Sequence, residues 1–170
     1  MEFRYCPRCA TPLVTGEIAG LTRQYCPAPG CGYIHFVNPL PVACSLVLHD
    51  GGIVLIRRGI EPRQGFWALP AGYIEGHETT EEAARREAQE ETGLEIELIE
   101  LLGVHTFVAR PPRPNGLGIF YLARAIGGAL APGDDAIDAR VFPLDTLPAE
   151  MAFPSHVHYL GLLRERQGAR

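Results

Sequence analysis

The stretch Thr79 to Leu94, TTEEAARREAQEETGL, constrains this chain more than any other. Thr79 followed three residues later by Glu82 is the pattern in which a hydroxyl and a carboxylate close the open amides at a helix N-terminus. Gly93 suits the other end, because glycine takes the left-handed backbone of a helix stop without a Cβ clash. A helix is therefore expected over Thr79 to Thr92. Within it Glu87, Glu90 and Glu91 stand at i, i+3 and i+4, on one face and near the C-terminal end. The helix dipole disfavours anions there, and ordinary helices place Lys or Arg in that turn. Three carboxylates at that end call for a cation. Oxygen donors without His or thiolate partners select a hard ion such as Mg2+ or Mn2+. Arg86 is spaced to pair with Glu82 on one side and Glu90 on the other, and so can orient the acidic face.

A second pattern opens the chain. Cys6-x2-Cys9 and Cys26-x4-Cys31, separated by 16 residues, read as a zinc ribbon with Zn2+ held by four thiolates, each pair on a tight turn. The metal would replace a core that so short a segment cannot build. Two disulfides or four unrelated thiols are the alternatives, and a reducing compartment disfavours the first. Asn38-Pro39-Leu40-Pro41 is a stiff extended linker. It divides the chain into a ribbon over 1–37 and a main domain over 38–170.

In that main domain, Val42 to Leu48 and Ile53 to Ile56 flank the turn signal Asp50-Gly51-Gly52 and read as a hairpin. Phe66 to Ile74 mixes strand and turn character. Strand-like runs follow at Leu94 to Val108, Leu117 to Ile126 and Ala139 to Phe142, with a Pro-rich loop from Arg110 to Gly116. A closing helix is expected over Ser155 to Arg166, with Ser155 as its N-cap. The sum is an α/β sandwich with a mixed sheet.

Gly72-x5-Glu78-x7-Arg86-Glu87-Ala88-x-Glu90-Glu91-x-Gly93-Leu94 resembles the signature of the Nudix hydrolases at every fixed position. The resemblance implies a Nudix α/β/α sandwich that hydrolyses the diphosphate of a nucleoside diphosphate linked to another group. It also implies roles. Glu87, Glu90 and Glu91 would ligate Mg2+ or Mn2+ with the Gly72 carbonyl, Glu78 would brace the loop, and Arg86 would hold the glutamates. A further carboxylate would serve as base, with Asp134, Asp135 and Asp138 available and Asp135 best placed. Arg58 is the candidate for gripping substrate phosphate, since a planar guanidinium matches phosphate geometry.

Within that family, a ribbon ahead of the domain is similar to NADH pyrophosphatases that also remove NAD caps from RNA. Those carry SQPWPFPxS after the box, where this chain has Leu101 to Phe107, LLGVHTF. The chain looks closer to FAD and ADP-ribose pyrophosphatases, in Gly65-x-Trp67-x-Leu69-Pro70-Ala71-Gly72, Leu144-Asp145-x-Leu147-Pro148 and Ala152-Phe153-x-Ser155. FAD or ADP-ribose is the expected substrate, NADH or NAD-capped RNA the alternative. A nucleotide-sensing module is the non-enzymatic alternative, and it predicts a damaged box where this one is intact. Trp67 and Cys44 read as core residues, and His35, His156 and His158 as structural.

The 170 residues are 46% hydrophobic and 21% charged, as in a soluble globular protein, with no run near the roughly 20 residues that span a bilayer. Met-Glu-Phe-Arg lacks a signal-peptide layout, so the cytoplasm is expected. A net charge of -5 argues against general nucleic-acid binding. All 15 basic residues are Arg, which removes Lys-based Schiff-base chemistry. A symmetric homodimer is the expected assembly.

Overall fold

The computed structural model describes residues 3–108 and 115–168. The Pro-rich loop expected over Arg110 to Gly116 lies almost wholly outside them. Backbone contacts divide the chain into two compact units, one holding the described residues of Met1–Pro39 and Val108–Asn115, the other those of Leu40–Phe107 and Gly116–Arg170.

The first unit is a small antiparallel sheet, β1 (Val14–Ile18), β2 (Leu21–Tyr25) and β3 (Ile34–His35), in that order. It buries little besides Cys6 and Cys26. Two thiols stand where a larger domain would have aliphatic side chains.

The second unit begins with β4 (Leu40–His49) and β5 (Gly52–Arg58), the expected hairpin. Its turn is made by Asp50 (φ 46°) and Gly51 (φ 76°), the left-handed pair that matches strand twist. Then come β6 (Trp67–Ala68), β7 (Ala71–Tyr73), α1 (Thr80–Thr92), β8 (Leu94–Phe107), β9 (Gly116–Gly128), β10 (Ala136–Phe142) and α2 (Pro154–Gly168). The sheet runs β10-β5-β4-β9-β8, with β6 added to β5 and β7 to β4. β4 and β9 are parallel and the other pairings antiparallel, so the sheet is mixed.

Alternation along the central strands sorts side chains onto two cores. Cys44 and Leu46 of β4 join Ile53, Leu55, Phe120, Leu122, Tyr159, Leu160 and Leu163 on the α2 side. Ala43 and Val47 join Val54, Ala83, Ala84, Ala88 and Ala123 on the α1 side. The small alanines let α1 approach the sheet closely, and Ser45 donates across that gap to the Ala84 carbonyl at 3.2 Å. The result is the expected α/β/α sandwich.

Three details differ from expectation. Strand β10 begins at Ala136, three residues before the apolar run, because pairing with Arg58 and Arg57 recruits Ala136 and Asp138. Helix α2 begins at Pro154, so Ser155 lies buried in its first turn and is not the cap. Proline suits that first position, where a missing N–H costs nothing. Glu82 closes the helix start instead of pairing with Arg86: its carboxylate accepts from the Thr79 amide at 2.8 Å.

Candidate functional site

Local rules place the acidic residues. The Thr79 and Glu82 box fixes the start of α1, and Gly93, at φ 70°, ends it with its amide bonded to the Gln89 carbonyl. Thr80 meets Tyr121 of β9 through their hydroxyls at 2.5 Å, which ties the first turn to the sheet. Glu87, Glu90 and Glu91 then occupy the last turns with no basic residue among them.

Their burial is graded: the Glu90 side chain is 46% exposed, the Glu87 side chain 12%, and Glu91 as a residue only 4%. Glu91 accepts a hydrogen bond from the Ala71 amide at 2.9 Å. Burial, helped by the neighbouring Glu87 charge, pushes its carboxyl up to about 8, against the pull of that amide. Burial raises Glu87 as well, opposed by Arg86. Glu87 lies directly against Gly72, where a Cβ would stand 2.1 Å from its carboxyl carbon. A side chain at 72 would push the Glu87 carboxylate from this place.

Arg86 organises the group. It donates to both oxygens of Glu78 at 3.0 and 2.6 Å, to Glu87 at 2.7 Å, to Glu90 at 2.9 Å and to the Tyr73 carbonyl at 3.1 Å. Glu78 also accepts from the Glu75 amide at 2.9 Å, and Arg86 above all holds its carboxyl down at about 2. One guanidinium thus clamps the loop before α1 to two of the three glutamates.

The segment between β9 and β10 closes the C-terminal end of α1. Ala131 and Gly133 donate to the Thr92 and Glu91 carbonyls, and a Cβ on Gly133 would meet the Glu90 carbonyl at 2.4 Å. This carries Asp134 and Asp135 to the site, where their charges raise Glu87 and Glu91 respectively. Asp135 is fixed by its carbonyl, which accepts from Gly59 at 2.6 Å. Asp138 instead pairs with Arg140 at 2.6 Å.

Arg58 donates to the Pro62 carbonyl at 2.8 Å and lies over the Phe153 ring at 5.2 Å. Its charge is felt by both Glu91 and His156. His156, expected from the sequence to be structural, lies beside the segment that carries Gly72. Buried in the first turn of α2, it accepts from the Leu69 amide at 3.0 Å, and burial pushes its imidazole down to about 3. A histidine in a helix carries no sign of such a bond in the sequence, since its partner is 87 residues away. Trp67 and Cys44 are in the core, as expected.

In the first unit the Sγ atoms of Cys6, Cys9, Cys26 and Cys31 all lie within 4.8 Å of one another. Cys6 and Cys31 stand 3.7 Å apart, Cys9 and Cys26 3.4 Å, and Cys9 and Cys31 3.5 Å. A tetrahedral ion at about 2.3 Å from each sulfur needs separations of roughly 3.8 Å. The thiols are free, not disulfide-bonded. Thr11 draws the Cys9 thiol down to about 6, whereas burial pushes Cys26 up to about 12.

A model of the NUDIX domain matches residues 39–162. The chain belongs to the Nudix family. Its match to the ADP-ribose pyrophosphatase of Methanocaldococcus jannaschii is 40% identical over 121 residues, 71% of each chain. Its match to the NAD-capped RNA hydrolase NudC of Stutzerimonas stutzeri is 33% identical over 162 residues, 94% of this chain and 55% of that one. The chain therefore spans little more than half the length of that relative. The crystal structure of a NUDIX hydrolase from Nitrosomonas europaea superposes with a TM-score of 0.86 at 27% identity, covering 99% of this chain and 94% of that one. The chain is thus a Nudix hydrolase, an enzyme of a family that uses divalent metals on nucleotide substrates. No helix among the described residues is long and apolar enough to cross a membrane.

Proposed function

We propose that this Nudix enzyme hydrolyses the diphosphate of ADP-ribose or of a related ADP conjugate such as FAD, using Mg2+ or Mn2+ held by Glu87, Glu90, Glu91 and the Gly72 carbonyl. The observation that carries the reading is the clamp of Arg86 on Glu78, Glu87 and Glu90 beside a buried Glu91. All the donors are oxygen, which fits a hard cation. A cation also removes the cost of placing Glu87 and Glu91 side by side away from water. Bound there, the metal supplies charge neutralisation for the diphosphate and Lewis-acid activation of water.

This chain's own residues do the rest. Arg86 keeps the carboxylates aligned, Glu78 and Gly72 hold the loop at the distance Glu87 requires, and Arg58 grips a phosphate oxygen. Asp135 takes the proton of the attacking water, an assignment supported by its anchored backbone and its field at Glu91. ADP-ribose is favoured by the 40% identity to a protein named for that activity. NADH or NAD-capped RNA is the second reading, favoured because the match to NudC reaches 94% of this chain, more than the Nudix domain alone.

The four cysteines of the first unit hold Zn2+, a role supported by their convergence and their free thiols. We take the ribbon as residues 1–37 and the catalytic domain as 38–170. The chain works in the cytoplasm, where such thiols stay reduced, and as a homodimer, which sedimentation measures directly. Incubation of ADP-ribose, FAD, NADH and an NAD-capped RNA with the enzyme and Mg2+ or Mn2+ ranks the substrates. AMP and ribose 5-phosphate from ADP-ribose are the expected products, and all four compounds surviving long incubation with either ion would end the proposal.

A further inference from the structure

We infer that His156 is a positioning residue for the carboxylate site, acting through the backbone of Leu69, Pro70 and Ala71. The inference rests on the reading of Glu91 as a metal ligand. Three successive backbone groups are gripped from three elements. The Leu69 N–H is held by His156 Nδ1 of α2 at 3.0 Å, the Pro70 carbonyl by the Ser45 amide of β4 at 2.9 Å, and the Ala71 N–H by Glu91 of α1 at 2.9 Å. Between the first and the last stands a proline, whose ring fixes φ and leaves the corner little freedom to absorb a shift. His156 and Glu91 therefore pull on one stiff corner, from helices on opposite faces of the sheet. Gly72, the next residue, sets the space for the Glu87 carboxyl.

His156 also touches the site by a second route. Its ring meets Phe153 edge to face at 5.0 Å, and Phe153 carries the Arg58 guanidinium at 5.2 Å. The ring also meets Phe120 edge to face at 5.8 Å, in the core. The imidazole is thus held by three partners: the Leu69 amide, Phe153 and Phe120. A buried amide must be paired. An apolar side chain at 156 would leave the Leu69 N–H to find another partner, and the corner would move with it.

The test compares His156→Leu, which removes the acceptor, with His156→Asn, whose amide oxygen falls near the place of Nδ1. The full zinc-loaded chain is used, with Mn2+ as the probe, read by electron paramagnetic resonance, and amide exchange at Ala71 read without Mn2+ by nuclear magnetic resonance. His156→Leu is expected to weaken Mn2+ binding at least about tenfold, as loss of a residue that orients a metal ligand does, and to speed exchange at Ala71. His156→Asn is expected to restore both. A role in stability alone would lower the melting temperature of His156→Leu while leaving Mn2+ affinity at the wild-type value, and that result overturns the inference. Should His156→Leu fail to fold, His156→Gln, with its oxygen one bond further out, takes its place, and equal Mn2+ affinity in the Gln and Asn variants overturns the inference. Wild-type protein that binds no Mn2+ and leaves every diphosphate intact overturns the proposed function together with it. Wild-type hydrolysis with unchanged Mn2+ binding in the variant overturns the inference alone.

Discussion

Gly72 and Glu87 share a space in which only one of them can have a side chain. A methyl group on Gly72 would stand 2.1 Å from the Glu87 carboxyl carbon, so Gly72→Ala must displace that carboxylate. Because the displaced group is the end of a flexible side chain, the fold should survive. We expect urea unfolding within about 1 kcal/mol of wild type and hydrolysis reduced about 10- to 100-fold; wild-type turnover would show that Glu87 has no need of its place. Glu91 gives a pH signature. In protein without Mg2+ or Mn2+, folded Glu91 keeps its proton up to about 8, whereas the unfolded chain releases it near 4.5. The unfolded state then binds fewer protons across that window, so stability falls as pH rises through it. Glu91→Gln should flatten this fall in a series of urea midpoints and, with Glu90→Gln, abolish turnover without unfolding the chain. An unchanged slope would assign the pH dependence to another group.

At the scale of elements, helix α1 was legible because its instructions are local. Thr79, Glu82 and Gly93 act within a few residues of where they stand, and the structure uses all three. Thr79→Ala should cost about 1 kcal/mol in urea unfolding, and no loss would mean that the box is idle. The turn at Asp50 and Gly51 was legible for the same reason. The first residues of β10 were not, since Ala136 and Asp138 extend the expected run Ala139 to Phe142 only by pairing with Arg58 and Arg57, far earlier in the chain. The start of α2 was misread because a serine after a proline looks like a cap, whereas the proline itself opens the helix. In the site, the glutamates and Arg86 follow from spacing along one helix. The Ala71 amide, the Tyr73 carbonyl and His156 reach the site through the tertiary fold, and no spacing rule encodes them.

At the scale of the whole molecule, two units are built on two different principles. The Nudix unit buries aliphatic and aromatic side chains on both faces of a sheet, while the first unit converges four sulfurs. Metal analysis should find one zinc per chain, and Cys26→Ser should release it and unfold β1 to β3, as seen in lost amide dispersion for 3–38, because metal binding is the folding energy of such small sheets. Hydrolysis by the Nudix unit should persist in that variant on a small diphosphate. A fully folded first unit without zinc would refute the metal's role. The inward use of Arg86 has a further consequence. Its hydrogen bonds go to Glu78, Glu87, Glu90 and the Tyr73 carbonyl, so three carboxylates share that one guanidinium. A doubly charged anion approaching this pocket meets repulsion until a cation is there. With Mg2+ or Mn2+ held there as proposed, ion and diphosphate would each raise the other's affinity by the same factor, so the diphosphate would bind best with its metal in place.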